Sequence, residues 1–574
     1  MALLRSEFSD QLRRICGGCA LAFLLCIIVA VLLDARGIGG RLAATIITLL
    51  PLALYCAAGL ATSTANPPEF HIADRRVSAG FAGMAAAAQW SAPALLLAAP
   101  GSLFVAGYDG RPMLIGLTAG YVLLAVLIAP FMRNCGARTA AGFIVMRYGT
   151  VAGLIAAAML FTCSVLFMTA VLATAVAFIA RVLATDARIV LVIGIAVVLL
   201  CTIVGGMASV IASQAAQYTV LLIGSLAVFF LLAAKPFDAP TEAPYDPVME
   251  AVNILVQGLG LVPAPSPRSV PFHVSATVGN LEFIICLMAG TASLPHVIMH
   301  PLTTRSVDDA RKWGAWSLLF ITILVFALPS YVRIASSAAA LESSGIMTGL
   351  VAAIAASATA AAASALLFTM AATLTPGIQR APERASAVAK PRILLARGLM
   401  IIIAAGTGYA VATQPLEGAS MLAWSFSLAA AGLFPALVLG IWWERVTTAG
   451  AVLGMLSGFS ISLFYVVLTR YFPQAAIAEL GMTALSDPAS GRPLVDAARI
   501  LADPGWHADV PASLANPLAS KVGWFNVGNE ACGIFGLAFG FAITIAVSLM
   551  GKKPSAEKQE LIESIRIPRA GRPD

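Results

Sequence analysis

Residues 280–300 read NLEFIICLMAGTASLPHVIMH, and no other stretch says more about the architecture of this chain. The stretch is long and apolar enough to cross a bilayer, since a spanning helix needs about 20 mostly apolar residues. Its middle nevertheless combines polar side chains with a helix breaker, in Gly290, Thr291, Ser293, Pro295 and His296. A break at membrane depth is tolerated where the freed backbone groups line an internal cavity. The stretch therefore predicts a membrane protein with a buried polar site.

A second stretch has the same character and lies five predicted spans earlier. Residues 80–103 read GFAGMAAAAQWSAPALLLAAPGSL and place Gln89, Ser91 and Pro93 at membrane depth. Because span 8 comes five spans, an odd number, after span 3, the two stretches cross the membrane in opposite directions, which suggests two inverted five-helix units. Interrupted helices at matching places in two halves point to the central site of a secondary transporter. The alternative is that both are ordinary proline kinks in packed helices.

The composition supports this class and excludes several others. Of 574 residues 60% are hydrophobic and 11% are charged, and the mean hydropathy is +0.91. A soluble globular protein has roughly 45–50% apolar and about 25% charged residues. Disordered and disulfide-rich secreted proteins are excluded by the same figures. The net charge of +7 needs no nucleic-acid partner, because basic loops set the orientation of a protein in the bilayer.

Fourteen apolar segments predict an all-α, polytopic membrane protein with about 14 transmembrane helices. They run approximately over residues 15–33, 42–63, 80–104, 113–132, 150–182, 188–205, 213–235, 277–299, 313–333, 348–375, 397–414, 419–442, 448–470 and 527–550. Spans 3–7 and 8–12 form the two repeats, and the remaining spans are extra helices at the two ends. Two predicted outer loops, 236–276 and 471–526, are long and interpreted as surface caps.

The distribution of Lys and Arg predicts the orientation. With the N-terminus inside, 22 of the 35 basic residues fall in short inner segments, so both termini are predicted to be cytoplasmic. The resulting organisation has five parts. These are a cytoplasmic N-terminus with an extra first helix (1–41), a pre-core helix and cytoplasmic loop (42–79), the inverted-repeat transport core (80–442), two additional helices with a long outer loop (443–550), and a cytoplasmic tail (551–574).

Sequence motifs of catalysis are absent. The chain has no G-x-x-x-x-G-K-[ST] phosphate loop, no H-E-x-x-H and no Cys/His metal cluster, which indicates a gradient-driven transporter that is not an enzyme and holds no cofactor. His296 and His300 lie four residues apart, but two histidines without carboxylates are more often polar residues at a helix end.

Several ordered motifs resemble the sodium:solute symporter family over about residues 42–568. They are FHIADRRVSAGFAGMAAAAQW from Phe70, FIVMRYG from Phe143, GGMASVIASQAAQ from Gly205 and, most strongly, LMAGTASLPHVIMHPLTTRSVDDAR from Leu287. The last motif, together with GNEACGIFG and EKQELIESIRIP, resembles the branch that contains acetate and other monocarboxylate permeases. The resemblance implies a five-plus-five inverted-repeat core that carries a small organic anion by alternating access. It also implies a prokaryotic protein in the inner membrane.

The resemblance further implies a sodium site between spans 3 and 10. Backbone carbonyls would come from Ala87, Trp90 and Ala358, and hydroxyls from the positions of Ala361 and Ala362. The family has hydroxyl-bearing residues at these last two positions, and this chain has alanines. Because sodium is a hard cation that requires several oxygen ligands, the substitution puts Na⁺ coupling at this site in doubt. Thr359, Ser364 and Ser357 are the hydroxyls closest in sequence.

Two hypotheses follow for the coupling. The protein is a symporter that uses sodium weakly or protons instead, with Glu282 and His296 as candidate proton-coupling groups because ionisable groups inside spans are expensive. Glu282 alternatively lies near the outer end and contacts water. The second hypothesis is a transporter-like module that binds a solute or partner without coupled transport.

The expected partner is a small solute, interpreted as a carboxylate, in contact with neutral groups. A carboxylate suits a site where broken helices present backbone N–H groups and positive dipole ends. The candidate contacts are Gln89, Trp90, Ser91, Thr291 and Ser293. Each of these side chains alternatively serves helix–helix hydrogen bonding.

Overall fold

A computed structural model describes residues 2–37, 40–98, 111–234, 281–335, 344–375, 386–413, 418–486, 493 and 522–566. The helices in these ranges are α1 (Ala2–Ala35), α2 (Gly40–Ala61), α3 (Pro67–Ile72), α4 (Ala79–Ala98), α5 (Arg111–Leu127), α6 (Ala129–Asn134), α7 (Ala140–Tyr148), α8 (Thr150–Leu183), α9 (Ala187–Ile203), α10 (Met207–Ala234), α11 (Leu281–Ser293), α12 (Pro295–Leu302), α13 (Val307–Ala335), α14 (Gly345–Leu374), α15 (Ser386–Thr413), α16 (Gly418–Trp442), α17 (Thr448–Tyr471), α18 (Pro473–Ala478), α19 (Gly533–Met550) and α20 (Ala556–Arg566).

The all-α fold class is confirmed, and a helix lies at each of the 14 predicted spans. Within the described ranges, nine helices are long and apolar enough to cross a membrane, and the bent pair α11–α12 makes ten. The other four spans correspond to α4, α5, α9 and α13, which are shorter or carry polar ends. Two-residue strands β1 (Thr483–Ala484) and β2 (Val522–Gly523) pair antiparallel in the loop before α19. The protein is therefore an integral membrane protein.

The packing of the core is symmetric between its two halves. Helix α4 packs against α13 in the same way that α11 packs against α5, which pairs span 3 with span 9 and span 8 with span 4. Likewise α14 packs against α10, and α8 packs against α16. When each of spans 3–7 is exchanged with the span five places later, the contact between spans 3 and 9 becomes the contact between spans 8 and 4. The contact between spans 10 and 7 likewise becomes the contact between spans 5 and 12. Because five spans separate the partners, the two units run in opposite directions, as an inverted repeat requires.

One prediction about the core is wrong. Span 3 was expected to be interrupted near Ser91 and Pro93, but α4 continues through Pro93 without a break. A proline removes one hydrogen-bond donor from a helix, which can kink the helix without ending it. Span 4 instead divides in two, because the short helix α6 begins at Ala129, with Pro130 in its first turn. The long outer loop 236–276 lies outside the described residues.

The predicted inner segments meet on one face of the molecule. Arg133 donates from Nε to the Thr304 carbonyl over 3.0 Å, and Asn134 donates to the Ile565 carbonyl over 2.7 Å. Arg566 donates to the Glu444 carboxylate over 2.9 Å. These contacts join the loops after spans 4, 8 and 12 to the tail helix α20. They agree with the assignment of all four segments to one side of the membrane.

The extra C-terminal helices pack closely through small residues. Gly458 of α17 and Gly536 of α19 face each other so tightly that a Cβ on Gly536 would lie 2.2 Å from the Gly458 carbonyl oxygen. The G-x-x-x-G sequences Gly454–Gly458 and Gly536–Gly540 are therefore partners in one contact, since small residues allow helix backbones to approach.

Candidate functional site

The predicted break in span 8 is present and opens at Leu294. This residue has extended backbone angles, φ −72° and ψ 136°, and the axes of α11 and α12 differ by 48°. Pro295 begins α12 and supplies no N–H to continue the hydrogen bonding of α11. Gly290 brings α11 against α16, where a Cβ would lie 2.3 Å from the Phe426 carbonyl oxygen. The break is thus held by both the local sequence and its packing.

Gln89 lies at the centre of a buried network that joins spans 3, 4 and 8. Its Nε2 is 3.4 Å from the Tyr121 hydroxyl and 3.5 Å from the His296 carbonyl oxygen. Its Oε1 lies 3.1 Å from His300 Nε2, and Tyr121 donates to the Ala86 carbonyl over 3.1 Å. The side chain of Gln89 is 2% exposed. The structure therefore brings together the polar residues of both sequence stretches that predicted the site.

Aromatic rings cover the His296 side of this network. The ring centroids of Phe167 and His296 are 4.9 Å apart in an edge-to-face arrangement, and Phe167 lies 5.2 Å from Phe426. On the other side, Tyr121 stacks on Trp313 with 5.9 Å between centroids. Aromatic side chains of spans 5, 9 and 12 thus pack around the polar network of Gln89. Sequence reasoning missed Phe167 and Tyr121, which no local pattern distinguishes from ordinary core aromatics.

Four buried polar atoms on spans 3 and 8 have no hydrogen-bond partner among the described residues. They are Trp90 Nε1, Thr291 Oγ1, His296 Nδ1 and His300 Nδ1. A buried polar atom without a partner costs about 1–3 kcal/mol, so such atoms call for an explanation. By contrast, Ser91 donates to Ala88 and Ser293 donates to Ala289, each within its own helix. Of the predicted contacts, Trp90 and Thr291 have a side-chain polar atom without a partner among the described residues, and the two serines are hydrogen-bonded within their own helices.

The positions predicted for a sodium site are all buried, on helices α4 and α14 that pack together. The Ala361 carbonyl accepts from Gln214 Nε2 over 2.8 Å and from the Ser364 hydroxyl over 3.2 Å. Ala361 and Ala362 supply no hydroxyl. The Gln214 amide therefore already donates to a backbone oxygen of α14 at one of the predicted sodium positions.

The hydroxyls closest in sequence each make a hydrogen bond of their own. Ser357 pairs with Tyr55 of α2 over 2.5 Å, and Thr359 donates to the Ala355 carbonyl over 2.7 Å. Ser364 is engaged with Ala361 as described above. No group of three or more His, Cys, Asp or Glu suited to a metal ion occurs in the part of the chain that the structure covers.

Two glutamines of α10 were not assigned a role from the sequence. Gln214 and Gln217 are completely buried, three residues apart on one helix face. Gln214 Oε1 and both amide atoms of Gln217 lack partners among the described residues. The signal was present in the motif GGMASVIASQAAQ, whose i, i+3 amides inside a span are costly to bury.

Glu282 lies in the first turn of α11 and is partly exposed. A carboxylate in the first turn of a helix is stabilised by the helix dipole. Its position at a helix end, away from the Gln89 network, fits the alternative in which it reaches water.

Comparisons with known proteins agree with this fold. Residues 70–341 match the family model described as the sodium:solute symporter family. An uncharacterized symporter of Cupriavidus necator is 24% identical, with 90% of this chain and 92% of that protein covered. A monocarboxylic acid transporter of Corynebacterium glutamicum is 25% identical, covering 71% of this chain and 80% of that protein. A solved structure of a Na⁺-coupled sialic acid symporter, substrate-bound and outward-open, superposes with a TM-score of 0.61 at 15% identity. It covers 89% of this chain and 99% of that one.

These findings confirm the recognition of the sodium:solute symporter family. The matched family and the fold are those of secondary transporters rather than enzymes, and together they support a solute symporter. Its partner is accordingly a small-molecule solute.

Proposed function

We propose that the protein is a cation-coupled symporter for a small monocarboxylate such as acetate, which it moves by alternating access. The observation that carries the proposal is a pair of buried, unpaired donors, one on span 3 and one on span 8. Trp90 Nε1 and the Thr291 hydroxyl are buried, neutral and without partners among the described residues. One relative, at 25% identity, is named as a monocarboxylic acid transporter.

A carboxylate fits the chemistry of this break. The first N–H groups of a helix have no partner within the helix, and Leu294 provides no side-chain cap for α12. The positive end of the α12 dipole therefore favours a negative charge at the break. Backbone and neutral side-chain donors balance a single carboxylate, while the apolar rings of Phe167 and Phe426 suit a short alkyl group. This combination favours a small monocarboxylate over a larger polyanion.

The residues of α14 at the predicted sodium positions indicate which ion drives transport. Sodium requires several oxygen ligands, and Ala361 and Ala362 provide no hydroxyls, while Gln214 donates to the Ala361 carbonyl. We therefore expect sodium to act weakly, or protons to replace it. His296, beside Phe167 and with Nδ1 unpaired, is the proton-coupling candidate closer to the solute than Glu282.

The proposed setting is the cytoplasmic membrane of a bacterium with both termini inside. The positive charge of the inner segments supports this orientation. The protein has the five parts predicted from the sequence, with the transport core at residues 80–442.

Equilibrium binding of labelled acetate to purified protein tests the placement of the site. Gln89→Ala removes the amide that joins spans 3, 4 and 8, so we expect affinity to fall by about tenfold or more, equivalent to about 1.4 kcal/mol. Ser91→Ala is the matched control, because its hydroxyl bonds only within α4. Unchanged affinity in both Gln89→Ala and Thr291→Ala would show that the solute binds elsewhere.

A further inference from the structure

A basic cavity lies on the inner face, away from the Gln89 network. Its volume is about 190 Å³, and its lining includes Arg147, Thr447, Thr448, Lys552, Ser555 and Lys558. Three of these residues are cations, and no carboxylate lines the cavity. The cavity separates the first turn of α17 from the segment that links α19 to α20.

Arg147 is a buried cation that has only neutral partners in the described part of the chain. Its side chain is 1% exposed, with Nε 3.3 Å from the Gly440 carbonyl oxygen. Nη2 donates to the carbonyls of Glu444 and Val446 over 3.2 and 3.1 Å. The Glu444 carboxylate is paired instead with Arg566. Buried charges are normally paired with an opposite charge, so this guanidinium lacks its counter-ion.

The electrostatics agree with a missing anion. Burial lowers the pKa of Arg147, and the nearby Arg566 guanidinium lowers it further despite the opposing effect of Tyr148. The cavity also receives the positive end of the α17 dipole. Thr447 caps this helix by accepting from the Gly450 N–H over 3.0 Å. An anion in the cavity would satisfy all of these groups at once.

We infer that this cavity binds a phosphoryl group between Arg147, Lys552 and Lys558. Helix N-termini and basic side chains together form ready-made phosphate sites. A cavity of about 190 Å³ is smaller than the roughly 300–1,000 Å³ of pockets for drug-sized ligands, so it suits a head group or free phosphate.

The surroundings place the cavity at the membrane boundary. Leu549 and Met550, the last residues of α19, are 50% and 88% exposed and immediately precede the basic segment. Basic pockets beside transmembrane helices bind anionic lipid head groups. The phosphoryl group therefore comes either from a lipid in this leaflet or from phosphate in solution, and both sources share the same chemistry.

Thermal unfolding of the detergent-purified full chain tests the inference. Inorganic phosphate is titrated against potassium chloride at equal ionic strength, and micelles containing phosphatidylglycerol are compared with micelles of phosphatidylcholine. We expect saturable stabilisation by phosphate, by phosphatidylglycerol or by both. Stabilisation by phosphatidylglycerol alone assigns a lipid, and stabilisation by phosphate assigns a soluble anion.

Paired variants make the test specific. Lys552→Gln with Lys558→Gln should weaken the apparent affinity by about tenfold or more, since each lysine contributes a charge-assisted contact. Lys553→Gln is the matched control, because Lys553 is exposed and does not line the cavity. Absence of any shift beyond potassium chloride or phosphatidylcholine overturns the inference. An equal loss in the Lys553→Gln control overturns it as well.

Discussion

Gln89 contacts more of the candidate site than any other single side chain. One amide reaches Tyr121, the His296 carbonyl and His300, so it links three spans through neutral hydrogen bonds. Its hydrogen-bond partners in the described part of the chain are all neutral groups or histidine. A site built in this way discriminates by geometry and by the positive end of a helix rather than by a full countercharge. At this scale the sequence predicted a buried amide and hydroxyls on spans 3 and 8, and their role in solute binding stays a prediction.

The lowered pKa of His71 predicts that the stability of the protein depends on pH. Burial, with Arg138 and Arg392 nearby, lowers the pKa of His71 to about 4, below the ordinary value of about 6.5. The unfolded chain therefore binds the proton more readily, and stability is lost as pH falls from about 6.5 towards 4. We expect a loss of at most about 2 kcal/mol between pH 7 and pH 5 from this group.

Thermal unfolding at several pH values measures this effect. A His71→Gln variant should show a shallower decline of melting temperature between pH 7 and pH 5 than the unaltered protein. An identical pH profile in both proteins would remove His71 as the titrating group.

Serine substitutions at Ala361 and Ala362 are expected to make solute binding more sensitive to sodium. Replacing both with serine adds two hydroxyl ligands beside α4, so Na⁺ should raise acetate affinity by about tenfold in the double variant. Ala363→Ser is the control, because the next residue points about 100° away around the helix. Labelled acetate binding with NaCl or choline chloride measures the difference. Strong sodium stimulation of the unaltered protein would contradict this account of α14.

Two prolines in similar sequence contexts have different effects on their helices. Pro295 follows an extended Leu294 and ends α11, whereas Pro93 is accommodated inside α4. The sequence predicted breaks in both, and only the first is correct. A proline removes one hydrogen bond in either case, but the packing of Gly290 on Phe426 bends span 8, and this tertiary contact is not visible in the local sequence. The same limit explains why the Gln214–Ala361 bond was not foreseen.

Gly290 predicts that span 8 tolerates no side chain at its contact with span 12. A Cβ there would lie 2.3 Å from the Phe426 carbonyl oxygen, so Gly290→Ala should cost about 1–3 kcal/mol through overpacking. Gly398→Ala is the matched control, since nothing lies within 4 Å of its Cβ position, and helix propensity favours alanine by up to about 1 kcal/mol. Melting temperatures in detergent compare the two. Equal stability of both variants would show that α11 and α16 are not in close contact.

The symmetry of packing is the feature of the whole molecule that the sequence predicted best. Two polar stretches five spans apart predicted the inverted repeat. The matching contacts of α4 with α13 and of α11 with α5 agree with it. Hydrophobic length and the spacing of the two stretches were sufficient for this, because each span must satisfy its own backbone in lipid. The docking of tail helix α20 onto α6 and α16 depends on particular side chains such as Asn134 and Arg566, and the sequence alone predicted only a cytoplasmic tail.

The orientation is tested by reporter fusions. Green fluorescent protein fused after Asp574 should fluoresce, and alkaline phosphatase at the same position should be inactive, because the basic tail is expected inside. Alkaline phosphatase fused after Tyr471, at the predicted outer end of α17, should be active. The reverse pattern would invert the proposed topology.

Labelled acetate uptake into proteoliposomes, with proton and sodium gradients imposed separately, tests the central claim most directly. We predict accumulation above equilibrium under an inward proton gradient, weaker stimulation by sodium, and competition by pyruvate and propionate. No accumulation of acetate or of either competitor under either gradient, by protein that still binds acetate, would contradict coupled transport. That outcome would instead favour a module that binds its solute without moving it.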